Sequence, residues 1–315
     1  MKKFAFLFPG QGSQSVGMLD AWGDHPSVVQ TLGEASDSLS EDIGKLISTG
    51  SKEELSLTTN TQPVMLVAGV AAFRVWKSEG GAQPAVMAGH SLGEYSALVC
   101  AGVLSLKDAA PLVRFRAQAM QEAVPVGVGA MAAVLGLDSD KVIEGCAQVV
   151  EQNPNESVQA VNFNDPLQTV IAGTVGGVNL ACQVLKSMGA KRALILPVSA
   201  PFHSSLMSPA AQRLKERLDH AEFLPPHTPV INNVDVLSLG DPALIKDALY
   251  RQAFNPVRWV QTIRAIKELG VNLTVESGPG KVLSGLTTRI DPTLESAPLF
   301  DPSTLVKLQE LVAAP

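Results

Sequence analysis

Cysteine is scarce in this 315-residue sequence: Cys100, Cys146 and Cys182 stand far apart and are odd in number. That spacing excludes a disulfide framework and offers no metal-ligand motif. Each lies in an apolar helical pattern, so the expectation is buried free thiols and a reducing, cytoplasmic setting. No apolar run approaches the ~20 residues of a membrane span. Phe4–Phe8 follows two lysines as a signal peptide would, but Pro9-Gly10 ends the run short of the ~7–15 residues a signal core needs. It reads as a first strand instead. A basic block is also missing. Lys and Arg number 24 against 30 Asp and Glu, for a net charge of −6, which argues against general nucleic-acid binding. There are no repeats and no low-complexity segments. A content of 46% hydrophobic and 17% charged residues suits a globular chain: one large domain with an insertion, or two domains.

What is present begins with Gly89-His90-Ser91-Leu92-Gly93, directly after the apolar run Ala85-Val86-Met87-Ala88. A short buried strand feeding a sharp turn needs glycines at its flanks, and the serine is left on the tip. Residues Glu94–Ala101 read as a helix whose N-terminus aims free N–H groups at Ser91. On its own the pentapeptide is a glycine-rich turn as readily as a nucleophile elbow. The strand before it and the helix after it favour the elbow.

The rest of the chain reads as alternating strands and helices. Thr61–Trp76 is a long apolar helix opened by Asn60 and Pro63. A helix over about Ser105–Ala123 contains Pro111, which calls for a kink or a later start. From Gly127 to Pro197 the order is strand-helix-strand-strand-helix-strand, the split βαβ or ferredoxin-like unit. The strands are Ala130–Leu137, Val158–Phe163, Thr169–Ala172 and Arg192–Leu196, with helices Asp138–Val150 and Val178–Met188. Thereafter come a loop over Ser199–Ser204, a helix Leu206–His220, a short strand Pro229–Asn232, helices Asp241–Ala253 and Pro256–Leu269, and a last parallel strand Leu273–Glu276. The expected fold is therefore α/β, a parallel-sheet core formed by 1–126 and 198–315 with a small subdomain, 127–197, inserted.

A serine hydroxyl needs a base, and histidine is the usual one. Of five histidines, His25 reads as a surface residue, and His220 and His227 as surface or capping residues. His90 adjoins Ser91 on a strand and points to the opposite face. His203, in a loop of small residues, remains. Its orienting group stays open between Asp235, Glu276 and a backbone or side-chain carbonyl, because only the tautomer has to be fixed. Glu276 is as well placed to cap the glycine loop after it. Arg114 and Arg116 project to nearly opposite sides of one apolar helix, so one of them faces inward. An inward arginine is a snorkelling side chain, a structural ion pair or a fork for a substrate carboxylate.

Together these landmarks resemble the malonyl-CoA:acyl-carrier-protein transacylases of fatty-acid synthesis and the related acyltransferase domains of polyketide synthases. They run in order through nearly the whole chain: Phe8–Gln14, Thr61-Gln62-Pro63, Gly89–Tyr95, Arg116 with Met120-Gln121, Gly129-Ala130-Met131, Val161–Asn164, Phe202-His203-Ser204, Asn232-Asn233-Val234, Asn255–Trp259 and Gly278–Lys281. The resemblance implies an α/β-hydrolase-like core with a ferredoxin-like insertion and the site in the cleft between them. It implies that Ser91 attacks a malonyl thioester with His203 as base and then acid. It gives the backbone N–H groups of Gln11 and Leu92 the oxyanion hole, Arg116 the malonyl carboxylate, and the Gln252 carbonyl the orientation of the histidine. Asn162 and Gln62 match pocket-lining positions. Phe202 resembles the aromatic that crowds an α-methyl branch in malonyl-selective members.

The implied partners are malonyl-CoA and acyl carrier protein, with no cofactor, no metal, no nucleic acid and no membrane. The carrier is acidic, so docking calls for a local basic patch, for which Lys186, Lys191, Arg192, Lys281 and Arg289 are candidates. A free-standing chain leans towards fatty-acid supply. Two other readings stand beside this one. A serine esterase or thioesterase is compatible with the elbow but lacks the late Asp…His order. A non-catalytic carrier-docking domain fits poorly with Ser91, His203 and Arg116 all present.

Overall fold

A computed structural model describes residues 2–198 and 200–314. Met1, Pro315 and Ser199, the first residue of the loop expected before His203, lie outside the described residues.

Phe4–Phe8 (β1) is buried at all five positions. A strand with no polar face has to be covered on both sides, and β1 is the centre of a five-stranded parallel sheet. Val86–Gly89 (β2) pairs with one edge of β1 in the register Phe8↔Gly89. The remaining strands are Gly129–Leu135 (β3), Val158–Asp165 (β4), Gln168–Thr174 (β5), Arg192–Ile195 (β6), Val230–Ile231 (β7), Leu273–Ser277 (β8) and Glu295–Leu299 (β9). The parallel sheet has the order β7-β2-β1-β8-β9. Its strands share one direction, so the segments leaving β1, β2, β7 and β8 emerge at the same end. They carry Gln11, Ser91, Asn233 and Gly278, and this carboxyl end is where open α/β sheets bind ligands. The helix Thr58–Ser78 packs against the sheet with most of its residues buried.

The other four strands form an antiparallel sheet of order β4-β5-β3-β6. Helices Ser139–Gln152 and Val175–Ser187 cover one face through Val142, Cys146, Val149, Val178, Ala181 and Leu185. This is the ferredoxin-like order expected from the sequence. The opposite face turns Met131, Val161, Val170 and Ala172 towards Leu196, Val198 and Phe202. Two backbone hydrogen bonds stitch β4 to the larger sheet's side of the molecule, Phe163 N to Val257 O at 3.0 Å and Val257 N to Val161 O at 2.8 Å.

Several elements differ from expectation. The helix expected to open at Asn60 starts at Thr58 behind Leu57, with Pro63 inside it. The arginine-bearing helix begins at Leu106, not later, because Ser105 Oγ caps the Asp108 N–H at 3.1 Å. Pro111 is accommodated within that helix. Leu273–Glu276 is not the last parallel strand: β9 follows and pairs with β8. Its sequence Glu-Ser-Ala-Pro-Leu has little strand character, but a sheet edge tolerates proline. The helix expected from Pro256 begins at Trp259. Pro26–Leu39 is a helix in what reads as a polar stretch, and it buries only Val28, Thr31 and Ala35. His25, expected as a surface residue, is half-buried and caps that helix by accepting from Ser27 N at 3.2 Å. Cys146 and Cys182 are buried free thiols, whereas Cys100 is only partly covered. Among the described residues no helix is long and apolar enough to cross a membrane.

Candidate active site

Ser91 follows β2 with φ of +52°, a left-handed conformation that a non-glycine residue adopts only when its surroundings impose it. The imposition is steric. A Cβ on Gly89 would lie 1.8 Å from the Gly93 carbonyl carbon, and one on Gly93 would lie 2.0 Å from the Phe8 oxygen. The strand, the turn and the helix Gly93–Cys100 therefore close on one another without side chains between them. Asn233, just past β7, braces the turn. Its Oδ1 accepts from Ser91 N at 2.8 Å and its Nδ2 donates to Gly89 O at 2.7 Å.

His203 Nε2 lies 2.7 Å from Ser91 Oγ. Its Nδ1 is 2.8 Å from the main-chain oxygen of Gln252. A carbonyl can only accept, so Nδ1 carries the proton and Nε2 is left to receive one from the serine. That carbonyl is free for a local reason. Gln252 ends the helix Pro242–Gln252, and the residue four positions on is Pro256, which has no N–H to give. The negative end of the helix thus faces the imidazole. Burial and then the Arg116 charge pull the His203 pKa down from 6.5 to about 3, so the imidazole is neutral near neutral pH. His203 is 3% exposed. Neither carboxylate weighed as its orienting group is in that position. Asp235 forms a two-pronged pair with Arg251 at 2.7 Å, and Glu276 accepts from Leu283 N, Ser284 N and Ser284 Oγ.

Arg116 is the inward arginine, 1% exposed, whereas Arg114 pairs with Glu41. Its Nη1 donates to Gln62 Oε1 at 2.5 Å. Its Nη2 donates to Gln252 Oε1 at 3.0 Å and to Ser91 Oγ at 3.2 Å. The Tyr95 ring lies 5.5 Å from the guanidinium carbon. No carboxylate is within hydrogen-bond reach among the described residues, and Nε has no partner. A fully buried guanidinium bonded to two neutral amides is under-compensated, and burial accordingly lowers its pKa.

Gln11 and Leu92 line the cavity beside Ser91, and their backbone N–H groups find no acceptor among the described residues. The loop bearing Gln11 is pressed on the elbow, since a Cβ on Gly10 would lie 2.6 Å from His90 O. The cavity encloses about 130 Å³ and also exposes Gln62, Met120, Asn162, Phe202 and His203. A larger groove of about 380 Å³ shares its Gln11 and Asn162 walls and runs along the loop from Pro9 to Gln14. The Asn162 Oδ1 is buried without a partner. His90 turns away from the serine as expected, with its Nε2 2.8 Å from Asn164 Oδ1. Of the candidate docking cations, Arg289 is engaged with Asp165 at 2.6 Å and Lys281 lies over the Phe300 ring. Among the described residues no group of three His, Cys, Asp or Glu is gathered to hold a metal ion.

Sequence reasoning assigned no role to Asn233 or Glu94. The signal for Asn233 is its place immediately beyond a buried strand of the parallel sheet. For Glu94 it is a carboxylate in an otherwise apolar helix. Glu94 is 2% exposed, and burial pushes its pKa up from 4.5 to about 7.

Comparison with known proteins places this geometry among relatives. A family model described as an acyl transferase domain matches residues 5–306. The malonyl CoA-acyl carrier protein transacylase of Salmonella typhimurium is 51% identical over 306 residues, 97% of this chain and 98% of that protein. The protein of the same name from Bacillus subtilis is 46% identical, covering 97% of this chain and 96% of its own. The crystal structure of an acyl-carrier-protein S-malonyltransferase from Burkholderia pseudomallei superposes with a TM-score of 0.96 at 59% identity, over 98% of this chain and 99% of that one. A malonyl-transacylase solved in complex with its type II PKS acyl-carrier protein gives 0.95 at 49%, over 98% and 99%.

Proposed function

This chain belongs to the acyl transferase domain family, and from that premise we propose a route for malonyl transfer through its own residues. It moves the malonyl group from malonyl-CoA to the phosphopantetheine thiol of acyl carrier protein. Ser91 Oγ attacks the thioester carbonyl while its proton passes to His203 Nε2. The carbonyl of Gln252 holds Nδ1–H and stabilises the imidazolium that forms. The oxyanion is received by the amides of Gln11 and Leu92, which no acceptor among the described residues occupies. Collapse of the tetrahedral adduct breaks the carbon–sulfur bond, and the departing coenzyme A thiolate takes the proton back from His203. A malonyl ester remains on Ser91. The carrier thiol then repeats the sequence in reverse order, its proton going to His203 and returning to Ser91 as the ester breaks.

The single observation that carries the choice of acyl group is Arg116. A buried cation with no carboxylate in hydrogen-bond contact among the described residues, 3.2 Å from the nucleophile, fits an acyl chain that brings its own carboxylate. Gln62, which bonds Arg116, and Asn162, with an unpaired oxygen in the cavity, act as walls of the acyl pocket. The chemistry calls on side chains and backbone of this chain and on no cofactor. The free thiols of Cys146 and Cys182 support a cytoplasmic setting. Separate buried clusters under the two sheets support a core of 1–126 and 198–315 with 127–197 inserted.

Intact-protein mass spectrometry after mixing with malonyl-CoA, and separately with acetyl-CoA, tests this reading. A malonyl adduct that requires Ser91, is weak with acetyl-CoA and is discharged by carrier protein is the expected result. An adduct lost to water as fast as to carrier would make the protein a hydrolase. No adduct at all would leave only docking.

A further inference from the structure

Glu94 is a buried carboxylate that the transfer steps do not use. It stands in the first turn of the helix Gly93–Cys100. One of its oxygens, Oε2, accepts two hydrogen bonds: from the backbone N of Asn233 at 2.9 Å and from Nε2 of Gln252 at 2.9 Å. These two partners hold different halves of the site. Asn233 clamps the elbow through Ser91 N and Gly89 O. Gln252 offers its main-chain oxygen to His203 and its Oε1 to Arg116, while its Nε2 also donates to Ser91 O at 2.9 Å. A carboxylate is an expensive group to bury without a cation in contact, and filling the space with an apolar side chain would leave two buried N–H groups stranded. The shared oxygen also couples the two clamps. If it moves, the elbow and the His203–Arg116 side shift relative to each other.

We propose that Glu94 is a positioning residue for acyl transfer: its Oε2 pins Asn233 to Gln252 and so sets the spacing of Ser91 from His203 and Arg116. This rests on the acyl-transfer reading above. What matters in this role is where the oxygen is, and the charge is secondary. Small displacements of reacting groups are costly in rate while leaving substrate affinity largely intact.

Two variants of the full-length protein separate these contributions. E94Q keeps an acceptor oxygen at the same reach and removes the charge. E94D keeps the charge and withdraws the oxygen by one methylene. The rate of Ser91 acylation by malonyl-CoA, its KM, and the melting temperature are measured for both beside the wild type. In E94Q the acylation rate is expected to fall no more than about threefold, and in E94D by about tenfold or more, with KM unchanged and both proteins folded. An E94D enzyme as fast as E94Q, or faster, overturns the proposal, because the position of the oxygen then does not set the rate. A loss in E94D that enters rate, KM and melting temperature together also overturns it, in favour of plain structural support. A wild type that forms no Ser91-dependent adduct fails at an earlier step and removes the acyl-transfer reading along with this one.

Discussion

Nη2 of Arg116 stands 3.2 Å from the hydroxyl oxygen of Ser91, so the buried cation and the serine hydroxyl share one cavity wall. An acyl group bound to the serine has to present whatever it carries to that guanidinium.

Arg116→Ala is expected to slow malonylation of Ser91 by about a hundredfold or more, since breaking a buried charge pair costs roughly 3–5 kcal/mol. Acetyl-CoA, with no carboxylate to lose, is expected to be affected far less. Stopped-flow acylation with the two thioesters checks this. Equal losses for both would mean that Arg116 supports the fold and does not select the acyl group.

His203 sets the pH dependence. Its pKa is lowered to about 3, first by burial and then by Arg116. A base with a lowered pKa stays deprotonated further into acid. Acylation kcat/KM, which reports the free enzyme, is therefore expected to stay level from pH 7 down to about pH 5. Arg116→Met removes the second cause and is expected to shift the acid limb upward, towards 6.5. A wild-type limb already at 6.5 would contradict a buried imidazole.

His203 and Glu94 bear on stability with opposite signs. Unfolded histidine takes up a proton near 6.5, whereas folded His203 resists it to about 3, so its contribution is intact above 6.5 and is lost as pH falls through that window. Folded Glu94 keeps its proton to about 7, whereas the unfolded carboxyl releases it near 4.5, so its contribution is intact below 4.5 and is lost as pH rises to about 7. E94Q has no proton to lose. Urea unfolding is expected to show E94Q gaining on the wild type between pH 4.5 and about pH 7. A difference that does not change with pH would mean that the carboxyl is not held protonated by burial.

Gly93→Ala and Gly12→Ala separate collision from strain. A Cβ on Gly93 meets the Phe8 carbonyl oxygen at 2.0 Å, and backbone on both sides cannot yield. The expected cost exceeds about 4 kcal/mol, enough to leave little soluble protein. Gly12 has φ of +114° but open space around the added carbon. Its cost is expected to be about 1–3 kcal/mol, read as a lower urea midpoint with the fold retained.

Much of the site was legible because it is written in side chains with steric demands. The paired glycines about Ser91, two arginines set 200° apart on one helix, and the strand–helix rhythm of 127–197 each have a periodic or local signature. Other features had none. β9 was missed because an edge strand needs no alternating pattern and can hold Pro298. The helix Pro26–Leu39 buries too few large apolar residues to show a stripe. Asn233 is brought to Ser91 by the sheet order alone, across 142 positions of sequence. Residues alone left the partner of His203 open, because a main-chain oxygen has no letter in the sequence. Its one local trace is Pro256, four positions after Gln252.

That carbonyl has an unusual standing under mutation. Every amino acid supplies it, so a scan that trims side chains one by one can remove the Ser91 hydroxyl and the His203 imidazole but cannot delete the oxygen that holds His203 Nδ1. Changing residue 252 removes an amide from Arg116 and Glu94 and leaves the oxygen facing His203. To weaken it, a chemist would have to replace the 252–253 peptide link with an ester by semisynthesis. Drift in the gene would have to reshape the helix ending itself, for instance by restoring an N–H at position 256. The partner of His203 Nδ1 is thus encoded by where a helix stops, and it is heritable as geometry.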